Sequence, residues 1–174
     1  MVGYRALPGG QWGISTDLIE PDLSVWNFAT GQRVQRLGIS LPVNSEPTPD
    51  GRWLVTHTRA EFAVWEAGTW RQIAKWPAQP AEQGTSWLMI SPDSRLLVTP
   101  ATDGRLTLRS LPSGVELMAL PLPAAMPVSD LRFSPDGKRL LVLPRTGHLI
   151  EWDLGEIRRE LAKVGLDWES KSLR

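Results

Sequence analysis

The chain has 174 residues, 41% of them hydrophobic, enough for one domain with a real core and requiring no second. Lys plus Arg equals Asp plus Glu at 19 each, so the net charge is zero and no global basic field exists to hold nucleic acid. Without cysteine, disulfides, thiolate catalysis and thiolate metal sites are excluded together; no apolar run approaches the length of about 18 that spans a bilayer, and Met1 to Gly10 lacks the apolar core of a signal peptide.

The first expected unit runs from Gly3 to Ile39. Leu7-Pro8-Gly9-Gly10-Gln11-Trp12 is a turn signal followed by tryptophan. Leu23-Ser24-Val25-Trp26-Asn27 alternates apolar and polar residues, the period of a strand with one buried face. Thr30-Gly31 then turns the chain into a further strand, Arg33 to Ile39.

The second unit, Pro42 to Pro77, repeats this order more sharply. Thr48-Pro49-Asp50-Gly51 is a chain reversal with a physical cause: Pro fixes φ at the second turn position, Asp bonds its own downstream backbone, and Gly accepts positive φ. Strands are expected at Arg52 to Thr56, Phe62 to Glu66 and Arg71 to Trp76. The third unit, Ser86 to Leu122, carries Ser91-Pro92-Asp93-Ser94 and then strands at Arg95 to Thr99, Leu106 to Ser110 and Val115 to Leu120. In the fourth, Val128 to Asp153, Ser134-Pro135-Asp136-Gly137 precedes strands at Lys138 to Leu143 and Leu149 to Asp153, and no outer strand follows.

Pro49, Pro92 and Pro135 are 43 residues apart, and Pro8 stands 41 before Pro49. That period belongs to four-stranded propeller blades or to two-helix solenoid units, and the Pro-Asp turns decide for strands because they would stop a helix. Nine tryptophans fall mostly at equivalent positions, Trp12 with Trp53 and Trp26 with Trp65 and Trp152, as packing residues do and as a clustered aromatic cage does not.

The chain's end changes character. Asp153-Leu154-Gly155-Glu156 has the spacing of a capping box, and Ile157, Leu161 and Val164 recur at helical spacing before Gly165. An amphipathic helix is expected over residues 156–166, covering the open edge of the last unit, with a tail over 167–174.

On the Pro-Asp turns, the strands that follow them, and the dipeptide Trp152-Asp153 with its softened forms Trp65-Glu66 and Trp26-Asn27, the chain resembles the WD-repeat β-propeller family from about Gly3 to Asp153. The terminal stretch, Trp152-Asp153-Leu154 into Ile157 to Ala162 and Gly165 to Trp168, is similar to the propeller portion of large bacterial, planctomycete-type kinase/WD-repeat proteins, although no kinase motif is present here. The resemblance implies an all-β fold: a partial β-propeller of about four four-stranded antiparallel blades within residues 1–155, the last incomplete. The blades lie at about 3–39, 42–77, 86–122 and 128–153. The family's buried Gly-His, Ser/Thr, Asp and Trp network is incomplete. Thr56 and Thr99 fit the hydroxyl position and Asp103 the turn position, but Arg109 stands where Trp is expected and neither His57 nor His148 is placed as the network histidine. The blades are therefore expected to hold mainly by apolar packing. Glu151 aligns with Val25, Val64 and Leu108, where a carboxylate must be paired or exposed, with Arg158 or Arg145 as candidate partners.

The functional expectation is a non-catalytic protein–protein interaction scaffold, the C-terminal part of a larger propeller. Its partner is a protein or the remainder of that propeller, or a second copy completing an eight-bladed ring as a homodimer. No nucleic acid, membrane, cofactor or metal is expected, and the location is cytoplasmic. Candidate partner-facing loops are Thr58 to Glu61, Ala101 to Arg105 and Arg145 to His148, contributing Arg59, Glu61, Asp103, Arg105, Arg145 and His148, with the longer loops Pro77 to Thr85 and Pro121 to Pro127 beside them. The alternatives are a propeller enzyme or carbohydrate-binding module using the central channel, and a truncated fragment without independent function.

Overall fold

A computed structural model describes residues 3–16, 22–40, 44–79, 88–101, 103–122, 128–145 and 148–168. Four antiparallel sheets follow one another along the chain, each a meander whose strand order is its sequence order. The first sheet holds β1 (Gly3–Ala6), β2 (Trp12–Thr16), β3 (Asp22–Asn27) and β4 (Gln32–Ser40); the second holds β5 (Asn44–Pro47), β6 (Trp53–His57), β7 (Glu61–Glu66) and β8 (Gln72–Pro77). The third holds β9 (Met89–Ile90), β10 (Leu96–Pro100), β11 (Arg105–Ser110) and β12 (Glu116–Pro121). The fourth has three strands, β13 (Val128–Phe133), β14 (Arg139–Pro144) and β15 (Ile150–Asp153), and runs directly into the helix α1 (Leu154–Lys163). This is the propeller-like, all-β architecture of successive blades with an incomplete last one. Most of the two long connecting loops, and residues 169–174, lie outside the described residues.

Three apolar cores lie between successive sheets. Ile14, Val25, Leu37 and Ile39 of the first sheet meet Leu54, Ala63 and Trp65 of the second. Val55 and Val64 of the second meet Leu97 and Ile90 of the third, and Val98, Leu106 and Leu108 of the third meet Leu140, Val142 and Leu131 of the fourth. Neighbours such as Leu54 and Val55 belong to different cores because successive side chains leave a strand on opposite faces. The expectation of one buried face therefore fails for the inner sheets. Leu96–Pro100 is buried at every position and Phe62, Ala63, Val64 and Trp65 are all buried, because a sheet between two others reads as a continuous apolar run.

The Pro-Asp turns are built alike. Thr48 Oγ1 donates to Asp50 Oδ1 at 2.6 Å and accepts from the Trp53 N–H at 3.0 Å, while the Arg52 N–H donates to Asp50 Oδ1 at 3.0 Å. Ser91 with Asp93 and Ser134 with Asp136 repeat all three bonds. Consecutive turns also touch. A Cβ on Gly51 would lie 2.9 Å from the Pro8 carbonyl oxygen, the Asp50 N–H donates to Ser94 Oγ at 3.1 Å, and a Cβ on Gly137 would lie 3.8 Å from Pro92. The four turns thus form a row along one edge of the stack.

Each complete sheet carries a β-bulge at the same place, between Val25 and Trp26, Val64 and Trp65, and Leu108 and Arg109. Nothing in the strand periodicity marks it. The extra residue in each outer strand bends that strand and increases its local twist.

The helix differs from expectation by starting at Leu154 and ending at Lys163. Asp153 is both the last residue of β15 and the N-cap, its Oδ1 accepting from the Glu156 N–H at 2.7 Å, and Leu154, 1% exposed, joins the last core. Gly165, at φ 71°, closes the helix as expected, with Gly165 N–H donating to Ala162 and Leu166 N–H to Leu161. Of the expected tail, Asp167 pairs with Arg158 and Trp168 packs against the last core.

Candidate functional site

The loop tips carry the residues singled out from the sequence. Arg59 is exposed in a turn held by Thr58, whose Oγ1 accepts from the Ala60 and Glu61 N–H groups at 3.2 and 3.0 Å. Glu61 pairs with Lys75 across β7 and β8 at 3.1 Å. Asp103 accepts from Arg105 Nε and Nη2 at 2.9 and 2.6 Å; that hydrogen bond holds the exposed Asp103 carboxyl below its ordinary range and raises the Arg105 guanidinium. Arg145 and His148 are exposed at the ends of β14 and before β15, and the two residues between them lie outside the described set. Glu61 and Asp103 each find their cation within their own sheet.

The acids expected in turns are occupied there. Partial burial pushes the Asp50 carboxyl up, but hydrogen bonds from Thr48, the Arg52 N–H and Ser94, with the Arg52 charge, outweigh it and hold the group below the ordinary carboxylate range. Asp136 is also lowered, by the Ser134 hydroxyl and the Lys138 N–H. Among the described residues no cluster of His, Asp and Glu is arranged to hold a metal ion.

Inside the apolar stack, two tryptophans are braced by hydroxyls. Trp65 Nε1 donates to Thr56 Oγ1 at 3.0 Å, the hydroxyl role expected of Thr56, and Trp26 donates to Ser15 Oγ at 2.8 Å in the first sheet. Ser15 lies in β2 opposite Ser24 of β3, in the register that sets Thr56 opposite Ala63, and that shared register was the available signal. Arg109 takes the tryptophan position in the third sheet, 5% exposed. It pairs with Glu116 at 3.1 Å, donates to the Gly114 carbonyl at 3.4 Å and lies 5.9 Å from the centre of the Trp76 ring in the preceding sheet. Trp76 seats against Gly114, where a Cβ would fall 2.2 Å from the ring, and continues a stack through Phe62 at 5.6 Å to His57 at 4.1 Å. His57 is fully buried.

Glu151 is exposed, as one of its two admissible states required, but its partner is Arg139 at 3.1 Å and neither Arg158 nor Arg145. Arg139 reaches it because β14 and β15 pair with Leu141 opposite Glu151, placing Arg139 two residues along on the same face.

No protein-family model matches the chain, and no curated protein matches it.

Proposed function

We propose that this chain is a non-catalytic protein–protein interaction scaffold built from WD-type blades, its outer sheet face completed by a further blade from the rest of a larger propeller. One observation carries the reading. Leu143 and Leu149 stand at the repeat positions of His57 and Phe62, which are 0% exposed between the second and third sheets, yet in the fourth sheet they are 44% and 59% exposed. Beside the Arg139–Glu151 pair, this face thus keeps two leucines open at positions that are buried in an inner junction, which suits it to receive another sheet. The engagement of Asp50, Asp93 and Asp136 in their turns supports the non-catalytic part, since those acids accept from backbone N–H groups of their own turns.

The scaffold reading assigns partner contact to the loop tips at Arg59, Arg105 and Arg145. Immobilised chain is expected to retain a defined protein set that is lost when these three arginines are changed together to glutamate. Retention of the same set by the triple variant contradicts the assignment. A cytoplasmic location is part of the proposal, and cell fractionation tests it. Among the described residues no helix is long and apolar enough to cross a membrane.

A further inference from the structure

Trp12, Trp53 and Leu96 occupy one repeat position, four residues after Pro8, Pro49 and Pro92. At the first junction Trp12 packs edge-on against Trp70, ring centres 5.6 Å apart; at the second, Trp53 packs against the core shared by sheets two and three. At the third junction the residue is leucine. A cleft of about 600 Å³ opens there, with Leu96, Leu111 and Leu154 at its base and Trp168 as a wall. The first two junctions carry a tryptophan ring at this position, and the third, with leucine there, has the cleft beside its packed core.

The rim of the cleft is charged with cations in excess. Arg95, Lys138 and Arg158 line it beside Asp93 and Asp136, and a second lobe of about 610 Å³, sharing Lys138, Arg158 and Asp136, adds Arg139 and Arg159 with Asp153 and Asp167. The carboxylates nearby are already engaged: Asp93 and Asp136 with their turns, Asp153 with the Glu156 N–H, and Asp167 with Arg158. Among the described residues Arg159 has no ion pair, and Lys138 has none at contact distance although its charge acts on the Asp136 carboxylate. The first helix N–H groups are also taken, since Leu154 and Gly155 donate to the Lys138 carbonyl, so the cations and not the helix end would meet an anion.

We infer that this cleft binds an acidic peptide segment of a partner protein, with an aromatic side chain entering the space that Trp12 and Trp53 fill elsewhere and flanking carboxylates meeting Lys138 and Arg159. The inference rests on the scaffold reading and adds a second contact surface, away from the loop tips, with a stated ligand chemistry. A buried aromatic anchor within a charged rim is the arrangement that concentrates binding energy at protein interfaces.

The probe is an acetylated, amidated pentapeptide of one tryptophan flanked on each side by two glutamates, titrated calorimetrically against the full chain. Replacing its tryptophan by alanine, or its glutamates by lysines, is expected to weaken binding at least about tenfold. Leu96→Trp supplies the ring from the chain itself and is expected to abolish binding while the circular dichroism spectrum is kept. Should Leu96→Trp fail to fold, the surface variant Lys138→Glu with Arg159→Glu carries the test and is expected to lose the probe. No binding at about millimolar probe, equal binding by the variants, or tighter retention of single-stranded polyuridine overturns the inference. The arginine-to-glutamate triple variant at the loop tips must leave probe affinity unchanged. If the probe fails while loop-dependent protein capture persists, the cleft assignment falls and the scaffold reading stands.

Discussion

Thr48, Ser91 and Ser134 close their hairpins with the same pair of side-chain bonds, and the third turn departs from the others in a way that tests how the row is held. Ser94 sits at φ 64° where its counterparts are Gly51 and Gly137, both at φ 71°, and its hydroxyl accepts the Asp50 N–H of the preceding turn. Ser94→Ala keeps the strain and loses the bond, so urea denaturation is expected to show a loss of about 1 kcal/mol; Ser94→Gly also relieves the left-handed strain and is expected to be near neutral. Gly51→Ala and Gly137→Ala share the conformational cost of about 1 kcal/mol, but only the first drives a Cβ into the Pro8 carbonyl, so it is expected to be the more destabilising. Asp50 and Asp136 titrate lower in the folded chain than in the unfolded one. Their stabilisation is therefore complete above the ordinary carboxylate range and is lost as pH falls through the depressed folded values. The urea midpoint is expected to drop on acidification, with a shallower drop in Asp50→Asn. The serine-proline-aspartate motif made these turns legible in the sequence. The contact between one turn and the next was not, because it joins residues about a repeat apart that no local pattern links.

At the scale of strands and helix, positions were legible and environments were not. Every second and third strand lies within a residue or two of its place after the turn proline, since the turn fixes where pairing begins. Burial on both faces was missed because the first sheet, with small or polar Gly13, Ser15 and Ser24 on its outer face, mimics the alternation of a one-sided strand. The bulge before Trp26, Trp65 and Arg109 leaves no compositional mark, as it adds an ordinary residue to each outer strand. Between the second and third sheets, Trp76, Gly114 and Arg109 form one clamp. Thr56→Val in β6 leaves the buried Trp65 N–H without its acceptor, an expected loss of about 1–3 kcal/mol; in Trp65→Phe the same change is expected to cost much less, which a double-mutant cycle measures. The clamp had a partial signal, arginine in a tryptophan position, but its meaning depends on which ring the guanidinium meets across the junction.

For the whole molecule the governing relation is stacking: each inner sheet hides its two faces against its neighbours, and the outer face of the fourth leaves Leu143 and Leu149 exposed. The equal spacing of the turns made the number of sheets legible, while the cleft beside Leu96, where the second sheet carries Trp53, emerges only once the sheets are set side by side. The chain has no cysteine, so spin labels can be attached at introduced cysteines replacing the exposed Arg52, Arg95 and Lys138, which stand at equivalent positions of sheets two, three and four. Electron paramagnetic resonance distances between these labels test the stacking order most directly. Similar separations are predicted for 52 to 95 and for 95 to 138, with 52 to 138 clearly the longest of the three; a 52-to-138 distance equal to or shorter than either neighbouring pair would contradict the account.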